Sequence, residues 1–313
     1  MHLLQVFVSA AYVPEWLRVA ISLGGTGGHV FIFCSGFGLY LSYLKKPVGF
    51  CTFMQNRFLK IYVPYILFIF VEFCLWQNTN RQLLIRQLLS HVFLYKMFYE
   101  KYIISFGLQF WFLSTIFQLY FLFLPLCLFR KRFSLRALIL LGIGLSIIWW
   151  ILMEITGLGE KRIWGSFCLQ YLWEFVMGMA AAEYLICRKS IRVPLLFLWI
   201  FATTGLTLQA LMALKGGWFA AFNDVPALFG YGSAALLLWY YGKRLVRTVF
   251  LQIDSISYEW FLVHTTVFTW LYRLFRPHMT SEVLLALLAV ILSLIVAWIY
   301  ARFLRLVLQK HQM

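Results

Sequence analysis

A hydroxyl and an imidazole share one helical face late in the chain. In SYEWFLVH (257–264), positions i, i+4 and i+7 coincide on a helix, which groups Ser257, Phe261 and His264. Inside an otherwise apolar stretch, that face holds the elements of acid–base chemistry. A histidine satisfied by nearby backbone or by the serine is the plainer alternative. Glu174 and Asp224 lie deep in apolar segments, where an ionisable residue marks a functional position unless an interior cation pairs with it. Glu72, Glu154, Glu183, Glu259 and His29 also lie in or near such segments. Of these, Glu154 is near a segment end and meets water, and Glu183 is placed to pair with Arg188. Glycines crowd GGTGGHVFIFCSGFG (24–38), which suits close helix approach or a bend near a ligand. It is not a dinucleotide loop, because no βαβ unit surrounds it. His2, just before LLQVF, reads by itself as the residue after an initiator methionine.

The elements that must position these residues are membrane helices. The chain is 63% hydrophobic and 12% charged, with mean hydropathy +0.83. An average soluble domain carries about 25% charged residues. Apolar runs near the roughly 20 residues that cross a bilayer recur throughout. They predict helices over 26–44, 58–77, 107–129, 137–156, 165–187, 193–213, 218–241, 256–274 and 282–304. Before them, Pro14, Glu15 and Arg18 leave only 3–12 as buried helix, half of a first span. Neither a basic start nor a small-residue cleavage site marks a signal peptide. The expected fold is all-α, a polytopic integral membrane helical bundle of about ten spans with the first incomplete, forming a single domain over 1–313.

Alternate loops hold 17 and 10 of the lysines and arginines. The richer set includes Lys45, Lys46, Arg57, Lys60, Arg130–Arg132 and Arg188, which makes it, and the C-terminus, cytoplasmic. The net charge of +16 is spread among these loops and suits anionic lipid head groups, not nucleic acid. Six scattered cysteines form no CxxC and no Cys/His pair at ligand spacing, which argues against a metal site or disulfide framework. The one long connection, 78–106, sets Leu83, Leu84, Leu88, Val92, Leu94 and Tyr95 against Arg81, Arg86 and Lys96, the pattern of an interfacial amphipathic helix.

In order along the chain, His2, GGHVFIFCSGFGLYL (27–41), FMQNRFLKIYVPYI (53–66), FWFLSTIFQLYFLFLPL (110–126), WEFVMGM (173–179) and ISYEWFLVH (256–264) complete a recognisable string. The chain resembles the family-3 membrane acyltransferases, multi-span enzymes that O-acylate surface polysaccharides and related glycoconjugates. The resemblance covers nearly the whole chain and fits the short form without an attached soluble domain. It implies that His2 is the essential membrane-embedded histidine, that Arg57 and Lys60 hold acyl-CoA phosphates, and that His264 is a second functional imidazole. The arginine that precedes the family's histidine by about ten residues has no counterpart. That leaves an upstream start or a truncated, inactive copy as the two readings. The glutamate often found after the family's Trp-x-Leu-Ser element is also missing, since Thr115 and Ile116 follow Ser114.

From the resemblance the expected reaction is transfer of an acyl group, acetyl in the simplest case. The donor is cytoplasmic acyl-CoA and the acceptor is a hydroxyl of a surface polysaccharide or lipid-linked glycan, at the plasma membrane. Neutral imidazole, with an ordinary pKa near 6.5, is the natural base. His2 would deprotonate the acceptor hydroxyl, and Ser35, Trp111 or Tyr258 would donate to the developing oxyanion. Glu174, Asp224 and His264 would line the path through the bundle. An acyl-enzyme on Cys34 or Ser35 is a second mechanism, and a transporter or flippase of a glycan or small solute is a second function.

Overall fold

The computed structural model describes residues 27–75, 80–103, 105–159, 161–188, 193–215, 219, 222–275 and 282–309. His2, Arg18 and the half helix over 3–12 lie outside the described residues. All regular structure among the described residues is helical: α1 Gly28–Lys45, α2 Phe50–Leu75, α3 Arg81–Val92, α4 Trp111–Arg132, α5 Leu135–Ile155, α6 Leu172–Arg188, α7 Leu195–Lys215, α8 Asp224–Asp254, α9 Ser257–Phe275 and α10 Glu282–Gln309. Each of the nine full spans read from the sequence has its helix.

Five of these helices, α2, α4, α5, α7 and α10, are long and apolar enough to cross a membrane. The sequence predicts about ten spans. The difference lies in α1, α6, α8 and α9, which carry His29, Glu174, Glu183, Asp224, Glu259 and His264. Polar groups held against protein lower the hydropathy of α1, α8 and α9 without facing them to lipid, and α6, at 17 residues, is short for a span. More than half of the apolar window of α4 is buried (56%), against 22–28% in the other four, so α4 is the central helix.

Three helices depart from their expected bounds. α6 starts at Leu172, seven residues after the expected 165, behind a 3₁₀ turn at Cys168–Tyr171. α8 continues through the basic stretch 243–247 to Asp254. α2 starts eight residues early because a π-turn, Phe58–Tyr62, joins Phe50–Arg57 to Val63–Leu75. Pro64 has no N–H to offer the preceding turn. Carbonyls around it take side-chain donors instead: Tyr258 Oη donates to Ile61 O at 2.6 Å and Tyr300 Oη to Pro64 O at 2.5 Å.

α1 and α6 run side by side in the same direction. His29 meets Glu174 at one end and Tyr40 meets Glu183 at the other. At this second, basic end, Arg130 of α4 grips Glu183 through Nε and Nη2, and Lys131 Nζ lies 5.3 Å from the Tyr43 ring centroid. The planar guanidinium of Arg130 arrives from a neighbouring helix and suits a two-pronged contact with the carboxylate. The side chain of Arg188, the partner expected from the sequence, lies outside the described residues.

The connection between α2 and α4 is one helix, α3, followed by single 3₁₀ turns at Lys96–Phe98, Glu100–Tyr102 and Leu108–Phe110. Lys96 does not sit on a polar face with Arg81 and Arg86. It is fully buried, and Nζ donates to Ser105 O and Gly107 O, both at 2.8 Å. Beside it, Tyr65 Oη donates to His91 Nδ1 at 2.6 Å, His91 Nε2 donates to Ser105, and Ser105 Oγ donates to Tyr102 O at 2.5 Å. That network is complete with a neutral imidazole. Burial, reinforced by Lys96, holds the His91 pKa well below its ordinary value, and burial alone does the same to Lys96. The sign follows: the unfolded histidine binds a proton below about pH 6.5 and the folded one does not, so stability contributed here is present above that pH and is lost on acidification. Hydrogen-exchange protection across 91–103 and 105–107, taken relative to the intrinsic exchange rate at each pH, is expected to fall selectively as the pH drops from about 7.5 to about 5. Unchanged relative protection would refute a neutral His91.

Candidate functional site

The first turns of three helices meet at the end of the bundle away from Arg130. α1 brings His29, α6 brings Glu174 and α8 brings Asp224. Acids suit such positions, because unpaired N–H groups and the helix dipole favour negative charge there. His29 Nδ1 lies 2.7 Å from Glu174 Oε1, with the glutamate wholly buried. Asp224 Oδ2 accepts from Gln170 Nε2 at 3.1 Å and Trp173 Nε1 at 3.2 Å. Among the described residues, Glu174 Oε2 and Asp224 Oδ1 have no hydrogen-bond partner. Both acids are buried, and Trp150, Trp173 and Leu228 form an apolar cluster at the same helix ends. The Tyr171 ring stands 5.6 Å from His29 and 5.7 Å from Trp111, which packs beneath Gly28. The structure thus gathers Glu174, Asp224 and Trp111 around His29, which the sequence marks only as an ionisable residue in or near a span.

A second centre lies midway along α1. Tyr120 of α4 lies close enough to both Ser35 and Arg57 to interact with each electrostatically. Arg57 is half-buried, with its guanidinium carbon 5.8 Å from the Phe53 ring centroid and Nε enclosed. Lys60, one turn on, is exposed. The two expected donor contacts therefore face different surroundings: one is drawn inward and the other stays outside. Only the resemblance sets Tyr120 apart, as the tyrosine of the matched segment 110–126.

The shared face of Ser257, Phe261 and His264 exists. All three line a cavity of about 610 Å³ between α1, α8 and α9, whose other walls include Phe31, Leu238, Trp239 and Asp254. Ser257 Oγ donates to Asp254 O at 2.9 Å. His264 Nδ1 lies 3.0 Å from Trp260 O and 2.9 Å from Phe261 O. Carbonyls only accept, so Nδ1 carries the proton and Nε2 is the basic nitrogen. Tyr258 is a poor oxyanion donor, because its hydroxyl proton is committed to Ile61 O in the π-turn. Among the described residues no group of three His, Cys, Asp or Glu could hold a metal ion.

The family model described as an acyltransferase domain, that of acyltransferase family 3, matches residues 1–302. The chain belongs to this family of membrane acyltransferases. No curated protein and no solved structure matches it.

Proposed function

We propose that the protein is an O-acyltransferase of the plasma membrane with about ten spans and a cytoplasmic C-terminus. It moves an acyl group, acetyl in the simplest case, from cytoplasmic acyl-CoA to a hydroxyl of a surface polysaccharide or lipid-linked glycan. The observation that carries this reading is the inward placement of Arg57, half-buried over the Phe53 ring with Tyr120 and Ser35 close by. It brings a cation suited to the donor's phosphates near a hydroxyl of α1.

In this reaction His2 accepts the proton of the acceptor hydroxyl as its oxygen attacks the thioester carbonyl. The tetrahedral oxyanion collapses, the C–S bond breaks, and the CoA thiolate leaves with a proton returned by imidazole. His264, whose Nδ1–H is fixed by backbone carbonyls, supplies a second basic nitrogen on the cavity wall. Ser35 and Trp111 are the remaining oxyanion donors, and Glu174 and Asp224 shape the far end of the path. Arg57 anchors donor phosphate, with Lys60 as the outlying contact.

Labelled acyl-CoA and membrane glycan test this. His2→Ala is expected to abolish transfer, and His264→Ala to lower kcat by about 10²–10⁴ for a positioned base. Arg57→Ala should raise KM for acyl-CoA roughly 10–100-fold, as loss of one charge-assisted contact of about 1.5–3 kcal/mol requires. Label retained on the protein without acceptor would replace direct attack by an acyl-enzyme. Transfer indifferent to all three substitutions would end the proposal.

A further inference from the structure

The segment between α3 and α4 has almost no regular structure, yet it is held more firmly than a connector needs. Lys96 bridges the carbonyls of Ser105 and Gly107 from below, and the Tyr65–His91–Ser105–Tyr102 chain fixes the same stretch from the side. Leu94 and Phe106 are held at φ 56° and 52°, a left-handed conformation that bulky side chains adopt at a cost of about 1–3 kcal/mol each. Such strain persists only where the surroundings enforce it, and it gathers at sites with a task.

On this fixed floor stands an open hollow of about 650 Å³ lined by Arg86, Tyr95, Phe98, Tyr99, Lys101 and Tyr102. The three tyrosine rings lean on one another with centroids 5.7–6.1 Å apart. Lys101 Nζ sits 5.0 Å from the Tyr102 ring centroid and 6.0 Å from that of Tyr99. Arg86 faces the hollow from α3. Among the described residues neither cation has a carboxylate partner, and Glu100, the nearest acid in sequence, is not part of the lining.

We propose that this hollow binds an anionic saccharide, a sugar unit carrying a carboxylate or phosphate; the proposal rests on the reading of the acceptor as a glycan. Ring faces cover the apolar face of a sugar, phenol hydroxyls exchange hydrogen bonds with its hydroxyls, and two uncompensated cations take its charge. Tyrosine does this at low cost in conformational freedom, and a pinned loop keeps the site formed before the ligand arrives. An anionic lipid head group is the less suited occupant: the lining contains no aliphatic side chain along which acyl chains could lie. The hollow lies just before α4, at the end of that helix away from Arg130. An acceptor held here would be met from the side opposite the basic loops.

The test is binding without acyl-CoA, using the full chain in nanodiscs of neutral lipid. Trigalacturonate is expected to bind, to weaken as salt rises, and to bind at least about tenfold more tightly than the neutral trisaccharide maltotriose. Tyr99→Ala and Lys101→Gln, both at exposed positions, should each weaken it about tenfold. Equal binding of the neutral sugar, binding unaltered in the two variants, or inorganic phosphate binding as well as the uronate would overturn the proposal. So would competition of the uronate by anionic lipid in the disc at equal charge, which would identify a lipid site. Failure of acyl transfer with uronate binding intact counts against the enzymatic reading alone. Loss of saccharide binding with acyl transfer intact counts against this site alone.

Discussion

Gly178→Ala is expected to abolish recovery of folded protein. A methyl group there would stand 2.1 Å from the Phe33 carbonyl oxygen and 2.8 Å from the Phe37 nitrogen. Gly36, on the facing helix, is in the same position: its methyl would meet the Phe175 carbonyl oxygen at 2.1 Å. These contacts are backbone, so no rotamer change relieves them, and α1 and α6 must separate. Ordinary overpacking costs about 1–3 kcal/mol. Separating two helices that share a buried ion pair exceeds that range. Gly38 is the internal control. It lies on α1, and a methyl group there would have nothing within 4 Å, so Gly38→Ala should be tolerated and gain up to about 1 kcal/mol of helix propensity. Size-exclusion profiles of the three variants in mild detergent decide the matter. Sharp monodisperse peaks for Gly178→Ala and Gly36→Ala would disprove the close approach of α1 and α6.

The same glycines show what a sequence can and cannot disclose. Apolar length alone locates all nine described long helices, because lipid imposes length and composition on every segment that crosses it. It does not say which glycine in CSGFG touches a partner, since Gly36 and Gly38 are equivalent until α6 is placed beside one of them. Helical spacing groups Ser257, Phe261 and His264, a relation internal to one helix. Relations between helices are legible only through the order of motifs, not through spacing. Glu174 and Asp224 stand out because charge in apolar sequence is rare; that they meet, and that His29 joins them, depends on three helix starts converging. Lys96 departs from its amphipathic pattern for a physical reason. A lysine in such a pattern belongs in water unless carbonyls are presented to it, and Ser105 and Gly107 present theirs only once the loop has folded.

The far-end cluster yields a second strong expectation, in the ordering of substitutions. Removing one partner of a buried ion pair costs about 3–5 kcal/mol, because the other is left buried and unpaired. His29 and Glu174 are not equivalent, however, since Asp224 interacts electrostatically with both, attractively with the imidazolium and repulsively with the glutamate. Glu174→Ala leaves His29 with Asp224 still close by. His29→Ala leaves two acids facing each other in apolar surroundings with no imidazole between them. His29→Ala should therefore be the more damaging, with a fall in Tm of roughly 6–10 °C at about 2 °C per kcal/mol for a chain of this size. Adding Asp224→Asn should recover part of that loss while harming the wild type, a coupling that independent sites do not show. Activity should follow stability, because the pair sets the register of α1 against α6 and so presents Ser35 to Tyr120 and Tyr40 to Glu183. Glu174→Gln, which keeps an acceptor for His29 Nδ1–H without the charge, is expected to retain most of both. If Glu174→Gln instead folds as the wild type and turns over at least about a hundredfold more slowly, the glutamate acts on the chemistry through His29, and a purely positioning role for the pair is excluded.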